Sequence, residues 1–469
     1  LITGHSITGG DGLFPPDQLQ YLSWIRQAAD HGLIGNRFDF APDSRVFLHP
    51  AFLISGLAVR WLGLPIQYSN ALIWKPIAVL VVFFGARQYA HRLLPTGWPA
   101  RTGTILSIFA LVPASSALGL LGAGHALRYN LDFITSEMWP GQQLLGYEVA
   151  ACAIFLVPIT LLLAERARRE ASLRFAALTS LCALLITWLQ PWQGAELLLI
   201  IAGVEAWRWW RAGERPWLPF LLVLLIGSAP AVYYAILERT DAFWRLYGEM
   251  NRANADPIWD WSWWAVLLCL APLGLPALIS LRGGIRDWQT SAMRIWPIAV
   301  LVVYLQPTGT FPFHSVQGLS IPLAVMAVSA FTINRPDWLP RPRAAWVIPG
   351  VLLLTVPGTW HRLSLAYDNV HNRTFPYYFV GGEEDALRWL DRNPSEGRVL
   401  ADRYAGLLVP AYAGRESYIG PRVLTPDFKT KSTNMDLLLL KFVKPREAQA
   451  FVRATGARFI FEACGAWKG

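Results

Sequence analysis

The residues best placed for chemistry stand near the start of the chain. The run Gly10-Asp11-Gly12-Leu13-Phe14-Pro15-Pro16-Asp17-Gln18-Leu19-Gln20-Tyr21 sets a carboxylate directly after two prolines. Pro16-Asp17 reads as a helix start with Asp17 as its cap. Leu19, Leu22, Ile25 and Ala29 then recur at helical spacing, which makes an amphipathic surface helix. Asp17 thus heads a helix lying along a surface, either as a cap alone or as a carboxylate offered to a reactant. Asp11, between two glycines, reads as a turn residue. A second run, Trp188-Leu189-Gln190-Pro191-Trp192-Gln193-Gly194-Ala195-Glu196, joins indoles to amides. These suit stacking on a sugar and hydrogen bonding to its hydroxyls, or equally an aromatic belt at a membrane surface.

The elements that position these residues belong to a membrane protein. Of the 469 residues 54% are hydrophobic and 16% charged, against roughly 25% charged in soluble domains. The hydrophobicity excludes intrinsic disorder, and four Cys, three of them in apolar runs, supply neither a disulfide framework nor metal spacing. Ten apolar segments approach the length a spanning helix needs. They run near 70–87, 102–120, 142–164, 174–189, 195–209, 217–236, 261–281, 294–305, 318–333 and 344–359. One set of alternate loops carries sixteen Arg and the other only Arg128, Arg239, Arg245 and Arg252. By the basic-loop rule the first set is cytoplasmic. Ten crossings then put residues 1–69 and 361–469 on the same outer side.

The stretch 46–64 is apolar enough to suggest another crossing, but it holds His49, Pro50 and Arg60. A crossing there would reverse the side of residues 1–45. It is read as a helix over Phe47–Leu64 lying in the outer interface, where Trp61 suits the depth. The chain begins at Leu1 in a polar, Gly-rich loop, and the expectation is that a first span precedes it. From about 372 helices alternate with short strands. The helices fall over Glu383–Arg392, Tyr404–Tyr412, Asp436–Phe442 and Pro445–Thr455, and the strands over Arg398–Asp402, Glu416–Ile419 and Arg458–Glu462. That alternation predicts a small α/β domain outside the membrane. The expected class is mainly α: a polytopic helical bundle over 70–360, outer interfacial helices in 1–69 and an extracytoplasmic α/β domain over 361–469. No phosphate-binding loop of Walker type, no His-Glu-x-x-His and no Gly-x-Ser-x-Gly occurs. The +9 charge is accounted for by the cytoplasmic loops, so no nucleic-acid partner is needed.

This layout resembles the GT-C glycosyltransferases that take sugars from polyprenyl phosphates, such as aminoarabinose transferases and protein O-mannosyltransferases. Asp17 and Tyr21 match the acidic first-loop motif of those enzymes, while Gln18 stands where many have a second acid. Phe47-Leu48-His49-Pro50-Ala51-Phe52 occupies the place of the second interfacial helix, and His49 joins the candidate substrate contacts. The resemblance also implies an acid in the next outer loop, and Glu137 in Thr135-Ser136-Glu137-Met138-Trp139 fills it. Glu148 lies about three helical turns further on, as an intramembrane acid that is functional, snorkels or pairs. Before a later span, His314 in Pro312-Phe313-His314-Ser315 occupies the place of a basic residue facing the donor phosphate, or is a cap.

The resemblance implies a lipid-borne donor in the membrane, whose anomeric carbon is attacked by an acceptor oxygen as polyprenyl phosphate leaves. Asp17 is the expected general base. His314, Arg128 or a divalent cation would meet the growing charge on the leaving phosphate. A cation held by Asp17 and Glu137 would be hard and oxygen-liganded, Mg²⁺ or Mn²⁺. Tyr21, His49, Trp192 and Gln193 are expected against the substrates. A single displacement predicts inversion. Two other readings stand beside the enzyme: a transporter or flippase for lipid-linked glycans, although no internal repeat is seen, and an inactive scaffold, for which Gln18 leaves room.

Overall fold

The computed structural model describes residues 6–10, 12–41, 44–112, 122, 138–254, 263–285, 287–306, 312–335, 337, 341–373 and 376–463. The first helix, α1, runs Pro15–His31 and begins two residues before Asp17. Two prolines in the first turn forfeit only N–H groups that lack helical acceptors anyway. Asp17 is therefore the third residue of the helix and not its cap. Phe14 holds the cap position, with no side-chain cap bond. Helix α2 runs Pro50–Leu62, shorter than the expected 47–64, and Gly63 ends it in the left-handed region. Its 13 residues rise about 20 Å, short of the roughly 30 Å hydrocarbon core. The two helices touch backbone to backbone. A Cβ on Gly56 would lie 2.7 Å from the Ala29 nitrogen and 2.9 Å from the Ile25 carbonyl oxygen. Gly56→Val is expected to force them apart at a cost of about 1–3 kcal/mol, seen as a lower thermal midpoint in detergent.

The bundle follows as α3 (Ile66–Leu93), α4 (Trp98–Phe109), α5 (Glu148–Arg169), α6 (Leu173–Leu189), α7 (Pro191–Ala212), α8 (Pro219–Thr240), α9 (Ala242–Asn254), α10 (Trp263–Ser280), α11 (Trp288–Tyr304), α12 (Ser320–Thr332) and α13 (Arg341–His371). A helix occupies at least part of each of the ten expected segments; in 102–120 it ends at Phe109, and residues 113–120 and 261–262 lie outside the described residues. Among the described residues four helical stretches are long and apolar enough to cross a membrane: Ile66–Leu93, Glu148–Arg169, Pro219–Thr240 and Phe313–Thr332. Small buried residues, such as Ala78, Ala86, Ala151, Ala153, Ala164 and Ala324, fill the core between them. Without a hydrophobic drive in lipid, such residues let helices approach closely enough for dispersion to hold them. Leu80, Phe83 and Phe84 on α3 and Leu221, Leu222 and Leu225 on α8 face outward. Helix α12 is buried from Ser320 to Phe331.

The segment expected to be helical from 142 is not so at its start. Pro140–Leu145 forms a 3-10 turn, Gly146 takes φ 146°, and α5 begins at Glu148. Glu148 thus sits in the first turn of a helix, where the helix dipole favours a carboxylate. It does not lie deep within a span.

The C-terminal part holds α14 (Glu383–Arg392), α15 (Arg403–Tyr412), α16 (Phe428–Leu439) and α17 (Pro445–Thr455). Strands β1 (Val399–Ala401) and β2 (Phe459–Phe461) pair in parallel, Val399 opposite Phe459. The expected strand over Glu416–Ile419 gives one bridge only, Val399 to Ser417. The Ser417 N–H is taken at 2.9 Å by the Arg37 carbonyl, so the first loop supplies that edge. The helix expected over Asp436–Phe442 lies earlier, because Lys441 adopts φ 59° and ends it. Arg415 locks the turn after α14, donating to the carbonyls of Leu390, Asn393 and Ser395 at 2.7–2.9 Å.

Residues 1–69 and the C-terminal part share one core. Leu19, Leu22, Ile25 and Phe52 pack in one cluster with Leu387, Val399, Leu408 and Phe461. Ion pairs Arg26–Asp391 (2.8 Å), Arg37–Glu416 (3.1 Å) and Lys431–Asp39 fasten the same seam.

Candidate active site

Asp17 is placed by the head of α1 and by the chain before it. Gly12 has φ 103°, and a Cβ there would fall 2.4 Å from the Leu145 carbonyl oxygen. That close approach lets Leu13 N–H donate to Leu145 at 3.0 Å, while Tyr377 donates its hydroxyl to the Gly12 carbonyl at 2.8 Å. The loop before α1 is so pinned against the chain leading into α5. Phe14 stacks on Tyr147 with ring centroids 4.4 Å apart, and the Tyr147 hydroxyl donates to Asp17 Oδ2. Asp17 is half-buried at this junction. Loss of water around it holds its carboxyl above the usual carboxylate range, and the Tyr147 hydrogen bond pulls the other way. The phenol of Tyr247 on α9, pushed up to about 12 chiefly by burial, also feels the Asp17 charge.

Tyr147 opens on a cavity of about 50 Å³ whose wall includes Tyr21, His49, Phe52, Asn70, Glu148 and Gln190. Asp17 lies behind Tyr147, and the acid on the wall itself is Glu148. Glu148 is 1% exposed. Asn70 Nδ2 donates to its Oε2 at 3.2 Å, and Lys75 Nζ stands 3.7 Å from its Oε1. Tyr21, one turn beyond Asp17, packs on Phe52 at 5.1 Å, and His49 lies 4.4 Å from the same ring. Burial pushes the His49 imidazole down to about 4, against a backbone hydrogen bond with Leu189. His49 is neutral at physiological pH, so it can hydrogen-bond a substrate but not supply a cation.

Trp192, Gln193 and His314 form a neighbouring cluster outside that wall. Trp192 meets the His314 ring edge-on at 4.5 Å, and Gln193 Nε2 donates to the His314 carbonyl at 2.6 Å. The run that reads as a loop narrows to Gln190, between α6 and α7. Gln190 lines the cavity, and Gln193 follows one turn on, which links the two groups. Glu137 and Arg128 lie outside the described residues. Among the described residues no three His, Cys, Asp or Glu side chains gather as a metal site.

Lys75, Asn70 and Tyr147 were not among the residues singled out from the sequence. Lys75 had a readable signal as a charge inside an apolar segment, where ionisable groups are costly and default to function. Tyr147 had none, since its meeting with Asp17 spans 130 residues of chain.

A mainly helical bundle, two short helices beside its end and an α/β part packed on them make up a fold shared with solved structures. The Archaeoglobus fulgidus oligosaccharyltransferase in complex with Zn and sulfate superposes with TM-score 0.54 at 12% identity, over 98% of this chain. ArnT from Cupriavidus metallidurans, bound to undecaprenyl phosphate, superposes with TM-score 0.53 at 12% identity, over 95% of this chain and 87% of that one. The chain spans 65% of the length of that oligosaccharyltransferase. No family model and no curated protein matches the sequence.

Proposed function

We propose that this chain is a membrane glycosyltransferase that moves a sugar from a polyprenyl-phosphate donor to an acceptor on the outer face, by a single inverting displacement. The observation that carries this reading is the Asp17–Tyr147 contact at the head of α1, beside a cavity lined by Glu148, which has Lys75 next to it, within a GT-C fold. In this reading Asp17 takes the acceptor proton as the hydroxyl oxygen forms its bond to the anomeric carbon. The phosphate–sugar bond breaks with its electron pair going to the phosphate oxygen. That growing charge needs a cation, and Lys75, beside the cavity, supports the role first given to His314 and Arg128. Tyr21, Gln190 and neutral His49 offer hydrogen bonds and aromatic surface to a sugar. The undecaprenyl phosphate in the ArnT structure supports a lipid-phosphate donor here. The cavity accommodates only a few waters, so the donor must widen it, with Tyr147 the natural door.

A divalent cation would find carboxylate oxygens of the right hardness at Asp17 and Glu137. Asp17 Oδ2 accepts from the Tyr147 hydroxyl, and Glu137 lies outside the described residues. When bound, the ion would supply positive charge next to the leaving phosphate.

The direct test is transfer of labelled sugar from a synthetic polyprenyl-phosphate donor in proteoliposomes. Normal transfer by a well-folded Asp17 variant would defeat the assignment. The pH profile adds a second readout. Activity should rise as Asp17 ionises, with an acid limb above the ordinary carboxylate value. Removing the hydroxyl that favours ionisation, with Tyr147→Phe, is expected to move that limb to higher pH. A limb that stays in place would detach Tyr147 from Asp17.

A further inference from the structure

A larger cavity, about 180 Å³, lies at the other end of the bundle. Asn70, on the first cavity, and Arg92, on this one, sit 22 residues apart along α3, roughly 33 Å of helix. The second cavity opens between the end of α3, the start of α11 and the end of α12. Its polar lining is Arg92, Asp287, Thr290, Arg294, Ser329 and Asn334.

These side chains are held in place before any ligand arrives. Asp287 caps α11, accepting from Thr290 N–H at 2.9 Å and from the Thr290 hydroxyl at 2.7 Å. Arg92 donates to Asp287 at 2.6 Å and to Glu165 at 3.0 Å. Arg294 donates to the carbonyls of Ser280 and Gly283. Asn334 donates to the Ser329 hydroxyl at 3.0 Å and the Ser280 carbonyl at 3.2 Å. Arg282 and Arg335 adjoin the lining residues in sequence. Two guanidinium groups, Arg92 and Arg294, therefore line the cavity, the first paired with the carboxylates of Glu165 and Asp287.

Guanidinium forks match the oxygens of a phosphate, and anchored ones lose little entropy on binding it. The outer wall beside the cavity is apolar and exposed at Leu281, Ile285 and Ile298, as a surface against acyl chains would be. Basic pockets between spanning helices at a cytoplasmic face are suited to phospholipid headgroups, and this is the Arg-rich end of the bundle. We propose that this cavity is a second binding site, specific for a phosphate group, carried by a membrane lipid or free in solution. It does not depend on the chemistry assigned to Asp17.

Two variants separate charge from space. Arg294→Gln removes one guanidinium. Gly284→Trp fills the mouth, since a Cβ on Gly284 meets nothing within 4 Å and the packing around it is untouched. The intact protein in detergent would be probed by native mass spectrometry with dioleoyl phosphatidate and with dioleoylglycerol, which lacks the phosphate, and by thermal shift with inorganic phosphate. Retention of phosphatidate over dioleoylglycerol, weakened roughly tenfold by either variant, supports a lipid headgroup. A thermal shift by inorganic phosphate that either variant abolishes supports a soluble ligand. The proposal is overturned if neither phosphate probe binds, or if both bind Gly284→Trp as they bind the wild type. Should Arg294→Gln fail to fold, Gly284→Trp decides alone.

Discussion

Asp17→Asn is expected to lower sugar transfer by about 10²- to 10⁴-fold, the usual contribution of a positioned general base, without lowering the thermal midpoint. The two halves of this result come from one cause. Burial holds the Asp17 carboxyl above its ordinary value, so the fold favours the protonated form. A group raised in this way contributes stability that is full below the unfolded carboxylate pKa. That contribution is lost as pH rises through the folded value. At neutral pH the ionised Asp17 is therefore a cost to the fold. Asparagine carries no charge and can still accept the Tyr147 hydroxyl, so its midpoint should match or exceed that of the wild type. A residue kept only to cap or brace α1 would behave oppositely, losing stability while transfer in folded protein continued. Parallel measurement of initial rates in proteoliposomes and of unfolding midpoints in detergent separates the two.

The second large effect concerns Lys75 and Glu148. Glu148 is 1% exposed and Lys75 lies 3.7 Å from it. Lys75→Met removes a cation, itself 37% exposed, from beside a buried carboxylate, and taking one partner from a buried acceptor costs about 1–3 kcal/mol. Glu148→Gln in the same background removes the stranded charge and keeps an acceptor for Asn70. The double variant is expected to regain most of the lost stability, because replacing both members leaves no uncompensated buried charge. Transfer should not recover with it, since the leaving phosphate would still lack Lys75. If the double variant folded and transferred at the wild-type rate, Lys75 would be a structural partner of Glu148 and nothing more. The full cycle of two single variants and the double gives the coupling without assuming additivity.

Much of the architecture was legible in the sequence. Long apolar runs report helices in lipid because a backbone there must satisfy its own hydrogen bonds. A helix accordingly occupies at least part of each expected segment. The α/β tail was legible in outline, since Arg415 and its turn, β1 and β2 follow local punctuation by Gly and Pro. Individual ends were not. Asp17 reads as a cap but lies inside α1, because two prolines in a first turn cost nothing there. The strand over Glu416–Ile419 shrank to one bridge, because Arg37, nearly 380 residues earlier, took its hydrogen bond.

The sequence by itself determined the class of fold: a mainly helical membrane bundle with an acid near the start of its first helix. It did so because hydrophobic length, helical period and basic-loop asymmetry are local properties of a chain. Only the tertiary structure decided which groups meet. It set Tyr147 between Asp17 and the cavity, put Glu148 on the cavity wall with Lys75 beside it, and moved Trp192 and His314 into a neighbouring cluster. Those meetings depend on helix packing, where a glycine such as Gly56 or Gly12 fixes an approach of a few ångströms between segments far apart in the chain. No local pattern carries that information.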